Sequence, residues 1–427
     1  MLEQVLTVPV IVLTTVSAIL WVAVIIVALW HVYLGICGCR KMQMPDKIEM
    51  KTHLFGVLIC ARNEEAVIGP LLDSLQAQRY PRDHFDLFVV ADNCTDRTAE
   101  VAREHGAHVF ERFDTEHVGK GYALHWVFEK LLHEVPRTYE AFAIFDADNL
   151  VDEMFLYHAN ETLCTGVGAM QGYRETKNPF DSVVSGCYAL YWYMLSRFYH
   201  QGRNNQGYPC TIGGTGFAFK RELIEKDGWQ TTTLTEDSEF ASRKVLEGHY
   251  IQFCRDALFY DEQPTTWGVS VKQRLRWTCG IMQESRALLK PAYRAWRDGN
   301  RNAFDIMMFL LGVPMLAAVF IASVTSLLAG VLSAMQLWDQ WYIVIGGCLL
   351  SVLGSIYLTG FLLGLFSVLT EKGKVGRYWP AVLMYPVFMA PMTVFVFIGF
   401  FKTEMEWEQI RHIHTVSLRE LFHKDSH

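Results

Sequence analysis

Four long stretches of the chain carry no charged side chain. They are dominated by aliphatic and aromatic residues and cover residues 4–39, 306–338, 340–370 and 378–401. A helix needs about 20 apolar residues to cross the hydrocarbon core of a bilayer, so the first three stretches predict membrane-spanning helices. The first stretch is too long for the core of a cleaved signal peptide, and no small-residue cleavage site follows it. The pattern therefore predicts a membrane protein with a polar block between its spans.

The fourth stretch differs from the others because it contains Pro380, Pro386 and Pro391. Proline lacks a backbone donor and kinks a helix, so a single straight span is not expected here. We expect residues 371–401 to form a bent interfacial or re-entrant segment, which leaves the tail at 402–427 in the cytoplasm. The alternative is a fourth span with an external tail.

Within the polar block, short apolar runs alternate with helical patterns. The runs that predict buried strands are 53–60, 87–90, 108–110 and 141–145, and the helical patterns lie near 68–75, 99–102 and 123–132. Such alternation predicts an α/β domain with a mainly parallel sheet and right-handed crossovers. Polar residues follow the C-terminal ends of the strands, where open α/β sheets bind ligands. The polar, glycine-rich segment 201–207 predicts a mobile loop.

The distribution of charge orients the chain and excludes one class of partner. Only Glu3 precedes the first apolar stretch, whereas Arg40, Lys41 and Lys47 follow it. The positive-inside rule therefore places the N-terminus outside and the polar block in the cytoplasm. The ten cysteines lack paired spacing, which favours reduced thiols in a cytosolic domain. A net charge of −7 gives no basis for binding nucleic acid.

Carboxylates follow two of the predicted strands. Asp146 and Asp148 point the same way in an extended chain, and two such groups can hold Mg²⁺ or Mn²⁺ beside a phosphate. The alternative is a solvated turn that includes Asn149. Asp92 and Asp96 follow the second strand, where they can contact a nucleotide or form a turn and a helix cap.

Two glycine-rich loops also lie near predicted strand or helix ends. Lys120 stands between two glycines ahead of a helix, a setting that suits a diphosphate contact, although a plain turn lysine is the alternative. The loop with Gly213, Gly214 and Thr215 predicts a tight turn beside a sugar acceptor. The alternative for this loop is a simple bend between strands.

A carboxylate pair begins another predicted helix. Thr235 is a suitable cap, and Glu236 and Asp237 in the first turn suit the helix dipole. The same position also suits catalysis, because a sugar hydroxyl becomes a nucleophile when a carboxylate such as Asp237 removes its proton.

The Gln-x-x-Arg-Trp sequence at 273–277 is the most specific of these motifs. It lies in the basic, amphipathic segment 269–303, which suits a membrane interface just before a span. Arg276 can clamp a leaving diphosphate, and Trp277 offers a flat face to a sugar ring. The alternative is an ordinary aromatic belt with snorkelling arginines.

In this order, the motifs resemble those of the membrane-integrated processive family 2 glycosyltransferases, which include cellulose, hyaluronan, chitin-oligomer and poly-N-acetylglucosamine synthases. The resemblance covers about residues 50–290. It implies a GT-A α/β domain inserted between transmembrane α-helices, and inverting transfer from a UDP-sugar. The motifs that carry it are Ala61-Arg62-Asn63-Glu64, Asp92, Asp146-Ala147-Asp148, Thr235-Glu236-Asp237 and Gln273-Arg274-Leu275-Arg276-Trp277.

The resemblance also implies a role for each motif. It implies that uridine and the diphosphate are held by Ala61, Arg62, Asn63, Glu64 and Asp92, with Asp96, Lys120 and Asp146 beside them. It implies that Asp148, assisted by Asp146, binds Mg²⁺ or Mn²⁺, and that Asp237, next to Glu236, is the base. The implied acceptor and diphosphate residues are Gln273, Arg276, Trp277 and Trp407, the last in the tail after the bent segment. Arg274 of the same motif, and Gly213, Gly214 and Thr215 of the glycine-rich loop, are predicted to belong to the same site.

The function implied is synthesis of a β-linked polysaccharide at the plasma membrane, with translocation of the product. UDP-glucose is favoured because no residue indicates an acetamido pocket. A synthase that uses UDP-N-acetylglucosamine, transfer of one sugar to a lipid, and a non-enzymatic nucleotide-sugar-binding transporter are the alternatives. Only one span is predicted before the domain, where several relatives have two. Few spans make a thin channel wall, which is compatible with a homo-oligomer or an accessory secretion subunit. The expected segments are a span in 1–39, the GT-A domain in 40–268, interface helices in 269–303, two spans in 304–370, the bent segment in 371–401 and the cytoplasmic tail in 402–427.

Overall fold

The computed structural model describes residues 2–42, 49–337, 341–402, 418, 420 and 421. This part of the chain contains a central sheet whose strands are β1 (Phe55–Ala61), β2 (Phe85–Asp92), β3 (His108–Arg112), β4 (Ala141–Asp146), β5 (Leu150–Val151), β6 (Ala169–Thr176), β7 (Phe217–Lys220) and β8 (Ile251–Asp261). Its α-helices are α1 (Leu2–Gly38), α2 (Ile68–Gln76), α3 (Thr98–Glu104), α4 (Lys120–His133), α5 (Phe155–Cys164), α6 (Val183–Met194), α7 (Gly202–Asn204), α8 (Glu236–Leu246), α9 (Trp267–Arg297), α10 (Arg301–Leu337), α11 (Trp341–Lys372), α12 (Trp379–Met389) and α13 (Pro391–Phe401). A π-helix, Leu195–Gln201, precedes α7, and short 3₁₀ turns lie at Arg82–His84, Arg221–Leu223 and Gly376–Tyr378.

The sheet has the strand order β3-β2-β1-β4-β7-β6-β8-β5. The first four strands are parallel to one another, as the alternation of strands and helices predicts. The second half is mixed, since β7 runs antiparallel to both β4 and β6, while β6 and β8 are parallel. The prediction of a mainly parallel sheet is therefore correct for the first half of the domain only.

The central strands are buried on both faces, which explains their continuous apolar sequences. In β1, Val57, Leu58 and Ile59 are fully buried. Leu58 packs into the core beneath α4 and α8, and Ile59 packs on the opposite face beneath α2 and α5. Because the sheet is covered on both sides, the residues at its C-terminal edge are the ones that remain free to meet a ligand.

Four segments are long and apolar enough to cross a membrane: Val8–Gly38, Arg301–Met335, Gly346–Lys372 and Gly376–Phe401. Helices therefore form where all four uncharged stretches lie in the sequence. Helix α1 packs along α10, where Ser17 donates a hydrogen bond to the carbonyl of Ala322 at 3.2 Å. Closer to the domain, the indole N–H of Trp30 donates to Asp305 at 2.8 Å.

The fourth apolar segment is divided at Ala390, immediately before Pro391. Its first part, α12, packs on α6 and α11, and its second part, α13, packs on α9 and α10. Side chains of the polar block contact both ends of the segment. The hydroxyl of Tyr378 lies 2.9 Å from that of Tyr193, and Arg286 donates to the carbonyl of Phe400 at 2.8 Å. That this segment bends along the interface, and does not cross, stays a prediction.

The prediction of a mobile loop at 201–207 is wrong. The π-helix continues into α7, and the side chain of Arg203 is only 1% exposed because it pairs with Asp305 of α10 at 2.8 Å. Gly202 lies so close to α1 that a Cβ there would sit 2.1 Å from the carbonyl oxygen of Leu34. The polar and glycine residues of this segment thus join the domain to the membrane helices.

Candidate active site

The loops that follow β1 and β2 are joined at the C-terminal edge of the sheet. Asn63 and Asn93 both adopt a left-handed backbone with φ of 53°, which asparagine tolerates better than most residues. The side chain of Asn63 accepts a hydrogen bond from the backbone of Thr95 at 2.7 Å. The structure therefore brings the 61–64 loop against the loop that follows Asp92, as a shared nucleotide site requires.

Asp92 is buried at the end of β2 and accepts a hydrogen bond from Arg112 at 2.7 Å. Burial raises the pKa of Asp92, while the guanidinium of Arg112 opposes the rise. Arg112 also pairs with Asp114 at 2.9 Å. Sequence reasoning missed Arg112 and Asp114, although their position at the end of the third strand is the same signal that identified Asp92.

Asp96 forms the turn before α3, as the alternative interpretation predicts, although the N-cap position itself is held by Arg97, which makes no side-chain capping bond. Its carboxylate accepts hydrogen bonds from the backbone N–H of Thr98 at 3.0 Å and from the Thr98 hydroxyl at 2.6 Å. The same carboxylate accepts from the backbone of Glu65 at 3.2 Å, and the Thr98 hydroxyl also accepts from the backbone of Glu64 at 2.8 Å. Asp96 therefore holds the loop in place, and its contact with a nucleotide stays a prediction.

The carboxylates at 146 and 148 lie at the end of β4 and differ in exposure, since the Asp146 side chain is 40% exposed. Asp148 is buried, and Asn149 is fully buried because it donates to Asp261 at 2.9 Å. The backbone N–H of Asp146 donates to the hydroxyl of Thr215 at 2.9 Å. The alternative of a simple exposed turn is therefore wrong, and Thr215 lies directly beside the carboxylate pair.

Lys120 lies at the start of α4 and reaches across the site. Its ammonium group bonds to the carboxylate of Asp146 and donates to the carbonyl of Gly214 at 2.7 Å. Burial alone lowers the pKa of this lysine, but the charges of Asp146 and Glu236 raise it above its ordinary value. Lys120 is thus a cation held in place by two partners. The alternative interpretation, a lysine in an ordinary turn, does not describe it.

The carboxylates at the start of α8 face the same space. A Cβ on Gly214 would lie 3.5 Å from Oδ2 of Asp237. Burial raises the pKa of Asp237, and burial together with the charge of Asp237 raises the pKa of Glu236 to about 7. The cations of Lys120 and Arg276 oppose the rise at Glu236. Two buried carboxyl groups with raised pKa values therefore stand near Lys120.

The Gln-x-x-Arg-Trp residues lie on α9 and point to different partners. Gln273 accepts from the hydroxyl of Tyr188 at 2.7 Å, and Arg276 donates to the carbonyl of Leu234, before α8, at 3.4 Å. Arg274 is buried, bonds to the carbonyl of Phe388 and stacks on the Phe388 ring at 3.8 Å. Arg276 therefore faces the carboxylates at the start of α8, where its charge acts on Glu236. Arg274 instead contacts α12.

Trp277 is part of an aromatic cluster with α6. Its ring centroid lies 6.4 Å from that of Tyr191, with the two planes 20° apart, and 5.8 Å from that of Trp192. These aromatic faces offer a surface on which a sugar ring can stack. Trp407, the other tryptophan predicted for the acceptor, lies outside the described residues.

Two further charged residues complete the site, and sequence reasoning missed both. Arg174 of β6 pairs with Asp261 of β8 at 3.3 Å, stacks on Trp192 at 3.8 Å and bonds to the carbonyl of Gly213. Burial raises the pKa of Asp261 to about 7; the charge of Arg174 opposes this rise, and Asp148 adds to it. Arg174 does not follow any of the predicted strands, so a search for polar residues at the C-terminal ends of strands did not select it.

The residues present fit a divalent cation that also binds a phosphate. Among the described residues, no three side chains of His, Cys, Asp or Glu form a complete ligand cluster. Mg²⁺ in enzymes is held by one or two carboxylates, with waters and substrate phosphates as the other ligands. Asp146 and Asp148 supply that smaller number, and their charges help to raise the pKa of the neighbouring Asp261.

The amino-acid sequence is similar to those of known proteins. A sequence model of the family described as glycosyltransferase like family 2 matches residues 53–280. The probable glycosyltransferase YdaM of Bacillus subtilis (strain 168) is 27% identical over 420 residues, which cover 90% of this chain and 94% of that protein. The beta-monoglucosyldiacylglycerol synthase of Nostoc sp. (strain PCC 7120) is 28% identical over 65% of this chain and 59% of its own length.

The fold also has a counterpart among solved structures. The mannosyltransferase PcManGT from Pyrobaculum calidifontis, in complex with GDP-Man and Mn²⁺, superposes with a TM-score of 0.58 at 20% identity, covering 90% of this chain and 99% of that one. This likeness confirms the GT-A type of fold expected from the sequence. With more than half of its residues matched by the family model, the chain belongs to the glycosyltransferase like family 2.

Proposed function

We propose that this enzyme transfers the sugar of a UDP-sugar to an acceptor hydroxyl with inversion, and that it does so at a membrane. One observation carries the proposal. Lys120 contacts both Asp146 and Gly214, and a Cβ on Gly214 would lie 3.5 Å from Oδ2 of Asp237. A cation, the carboxylates at the end of β4 and the proposed base therefore lie close together. A leaving diphosphate needs the first two groups, and an acceptor hydroxyl needs the third.

In the proposed mechanism, Asp237 accepts the proton of the acceptor hydroxyl. Lys120 and Arg276 stabilise the negative charge that develops on the departing diphosphate, which is electrostatic catalysis by groups already in position. Attack in line with the departing group converts an α-linked donor into a β-linked product. Asp148, with Asp146, would hold Mg²⁺ or Mn²⁺, and that ion when bound supplies further neutralisation of the diphosphate.

The donor would lie along the C-terminal edge of the parallel half of the sheet, which is formed by β3, β2, β1 and β4. Asp92, held by Arg112, and the 61–64 loop would bind the uridine. UDP-glucose remains the favoured donor, with UDP-N-acetylglucosamine as the alternative. A non-enzymatic role in nucleotide-sugar transport has less support, because the family match and the glycosyltransferase-named relatives favour an enzyme.

For the acceptor, we favour a growing β-linked glycan that is moved across the plasma membrane. Trp277, with Tyr191 and Trp192 behind it, provides an aromatic surface beside Arg276 that suits a sugar ring. Transfer of one sugar to a lipid is the second candidate. It is supported by the similarity to the beta-monoglucosyldiacylglycerol synthase over 65% of this chain.

Contacts at the membrane edge support a cytoplasmic tail, with the N-terminus outside. Glu371, at the end of α11, pairs with Arg197 of the domain at 2.6 Å. Leu421 is 6% exposed and packs against Leu150 and Tyr260 of the same domain. A segment at 371–401 that begins and ends on the side of the domain agrees with these contacts.

The proposal is tested with purified enzyme in lipid vesicles. UDP release is measured with UDP-glucose, UDP-N-acetylglucosamine and GDP-mannose, and the product is analysed for chain length and linkage. A β-linked polymer made from a UDP-sugar supports the leading proposal, and a glycolipid with one sugar supports the second candidate. Absence of transfer from every UDP-sugar, or release of GDP alone, contradicts both.

A further inference from the structure

Lys177 is a buried lysine that lies against the turn with the two carboxylates at the end of β4. It directly follows β6, and its side chain is only 1% exposed. The ammonium group donates a hydrogen bond to the main-chain carbonyl of Asp148 at 3.0 Å. Hydrogen bonds from charged donors are about twice as strong as neutral ones, so this contact firmly joins the end of β6 to the turn.

The backbone that carries this lysine is fixed by the end of β8. The backbone N–H of Lys177 donates to the carbonyl of Asp261 at 2.9 Å. The side-chain amide of the next residue, Asn178, exchanges two hydrogen bonds of 2.9 Å with the backbone of Gln263. The ends of the two parallel strands therefore hold the base of the lysine side chain and direct its ammonium group at the turn.

The turn that carries Asp146 and Asp148 is also held on either side of this contact. The backbone N–H of Asp146 donates to the hydroxyl of Thr215 at 2.9 Å. The side chain of Asn149 donates to Asp261, also at 2.9 Å. Between these two contacts, the ammonium group holds the carbonyl of Asp148, so the turn is fixed at the residue whose carboxylate would bind the metal.

The positive charge of Lys177 is not what a cation site needs. The carboxylates of Asp148, Glu262 and Asp261 act on the ammonium group, and Oε2 of Glu262 lies 4.0 Å from it. Two positive charges in one buried region repel each other, so the ammonium group opposes the binding of a divalent cation to the same carboxylates. A favourable role in cation binding must therefore come from the hydrogen bond to the main chain.

We propose that Lys177 is a positioning residue, which holds the carbonyl of Asp148 so that the carboxylate of the same residue faces Mg²⁺ or Mn²⁺. Its role rests on the proposed cation site at Asp146 and Asp148. Removal of a group that hydrogen-bonds to a metal-binding residue typically lowers metal affinity by about 10–100-fold. Loss of the ammonium group should therefore weaken the site, even though it also removes a repulsive charge.

The variant Lys177→Met separates the two effects of the lysine because they differ in sign. Methionine is also unbranched and flexible, but it has neither a charge nor a strong donor. We expect the dissociation constant for Mn²⁺, measured by electron paramagnetic resonance of free Mn²⁺ in the presence of UDP, to rise about 10–100-fold. A lysine that acted through its charge alone would give a lower constant when removed. At saturating Mn²⁺ most of the kcat should return, since the variant keeps the proposed metal ligands and base.

A double variant controls for the change in charge. Lys177→Met removes a positive charge beside Glu262, whose side chain is 7% exposed, whereas Lys177→Met combined with Glu262→Gln leaves the summed charge of the region unchanged. The double variant should weaken Mn²⁺ binding at least as much, since it also lacks the bond to the carbonyl. Lys51→Met is the matched control, because Lys51 pairs with Glu140 at the opposite end of β4 and should keep the wild-type constant.

An unchanged or lower dissociation constant in the double variant would overturn the inference. A wild type that binds no Mn²⁺ in the presence of UDP would overturn the cation site itself, and the role of Lys177 with it. Failure of the proposed function would look different from both, since the wild type would then bind Mn²⁺ but release no UDP from any UDP-sugar.

Discussion

The ammonium group of Lys120 is bonded to the carboxylate of Asp146. This pair joins the first turn of α4 to the end of β4, and the lysine also donates to the carbonyl of Gly214 at 2.7 Å. An anionic ligand that approaches Asp146 therefore meets a cation already fixed by two partners. Because the charge is fixed before substrate arrives, little reorganisation is needed when negative charge develops on a leaving group.

Replacing Lys120 by alanine should reduce transfer strongly. The variant leaves the leaving diphosphate without its buried cation, and loss of one such group lowers kcat by about 10²–10³-fold. Lys130→Ala is the control, because Lys130 lies near the other end of the same helix, where it pairs with Glu134 at 3.0 Å and lies over the ring of Trp126 at 5.0 Å. Steady-state UDP release measures both variants, and equal rates would remove Lys120 from the mechanism.

Asp237→Asn should bind the donor normally and lose transfer by about 10²–10⁴-fold, the usual contribution of a general base. Burial raises the pKa of Asp237 above its ordinary value of 3.8, and the base acts only when ionised. Wild-type transfer should therefore fall as the pH drops through this raised pKa. Donor binding by calorimetry, together with a pH profile, separates the two effects. Asp227→Asn, an exposed control nearby, should behave as wild type.

The strands that were predictable from the sequence are those with a strong local signal. β1, β2 and β4 are buried on both faces and so read as continuous apolar runs. β5 has two residues and β7 has four, too few to form a pattern. Their places in the sheet depend on tertiary pairing, which local sequence does not encode.

The same reasoning explains which site residues were found. Those at strand ends and helix starts were selected by position, and Lys120, Asp146 and Asp237 do lie together. Arg174 and Asp261 are far apart in sequence and meet only because β6 pairs with β8 in parallel. The prediction for segment 201–207 is wrong because a polar sequence pattern does not distinguish side chains exposed to solvent from side chains that form a buried ion pair.

Removal of divalent cations should stop transfer. Asp148 is buried near Asp146 and Asp261, and two carboxylates beside a phosphate can hold a divalent cation. We expect EDTA to abolish UDP release and either Mg²⁺ or Mn²⁺ to restore it. Asp148→Asn should require a higher metal concentration for half-maximal activity, which a metal titration measures. Full activity in EDTA would contradict the proposed cation site.

The buried pair between Arg203 and Asp305 should contribute to stability more than to catalysis. The side chains are 1% and 2% exposed, and Asp305 also accepts from Trp30. Removal of one partner of a buried pair typically costs about 3–5 kcal/mol, because the other charge remains buried. Asp305→Ala should therefore lower the unfolding midpoint in detergent markedly. Glu153→Gln is the control. It breaks an exposed pair with Arg79 and should lower the free energy of unfolding by only about 0–1 kcal/mol.

A methyl group added at Gly280 should disturb catalysis from outside the site. Helix α9 approaches the start of α8 so closely there that a Cβ would lie 2.6 Å from Cγ2 and 2.9 Å from the backbone nitrogen of Thr235. Gly280→Ala must therefore displace the turn that presents Asp237, and a shift of about 1 Å can cost about 10²-fold in rate. Gly268→Ala on the same helix meets no atom within 4 Å among the described residues, so it should keep wild-type kcat. Equal kcat values for the two alanine variants would show that the position of this turn does not limit transfer.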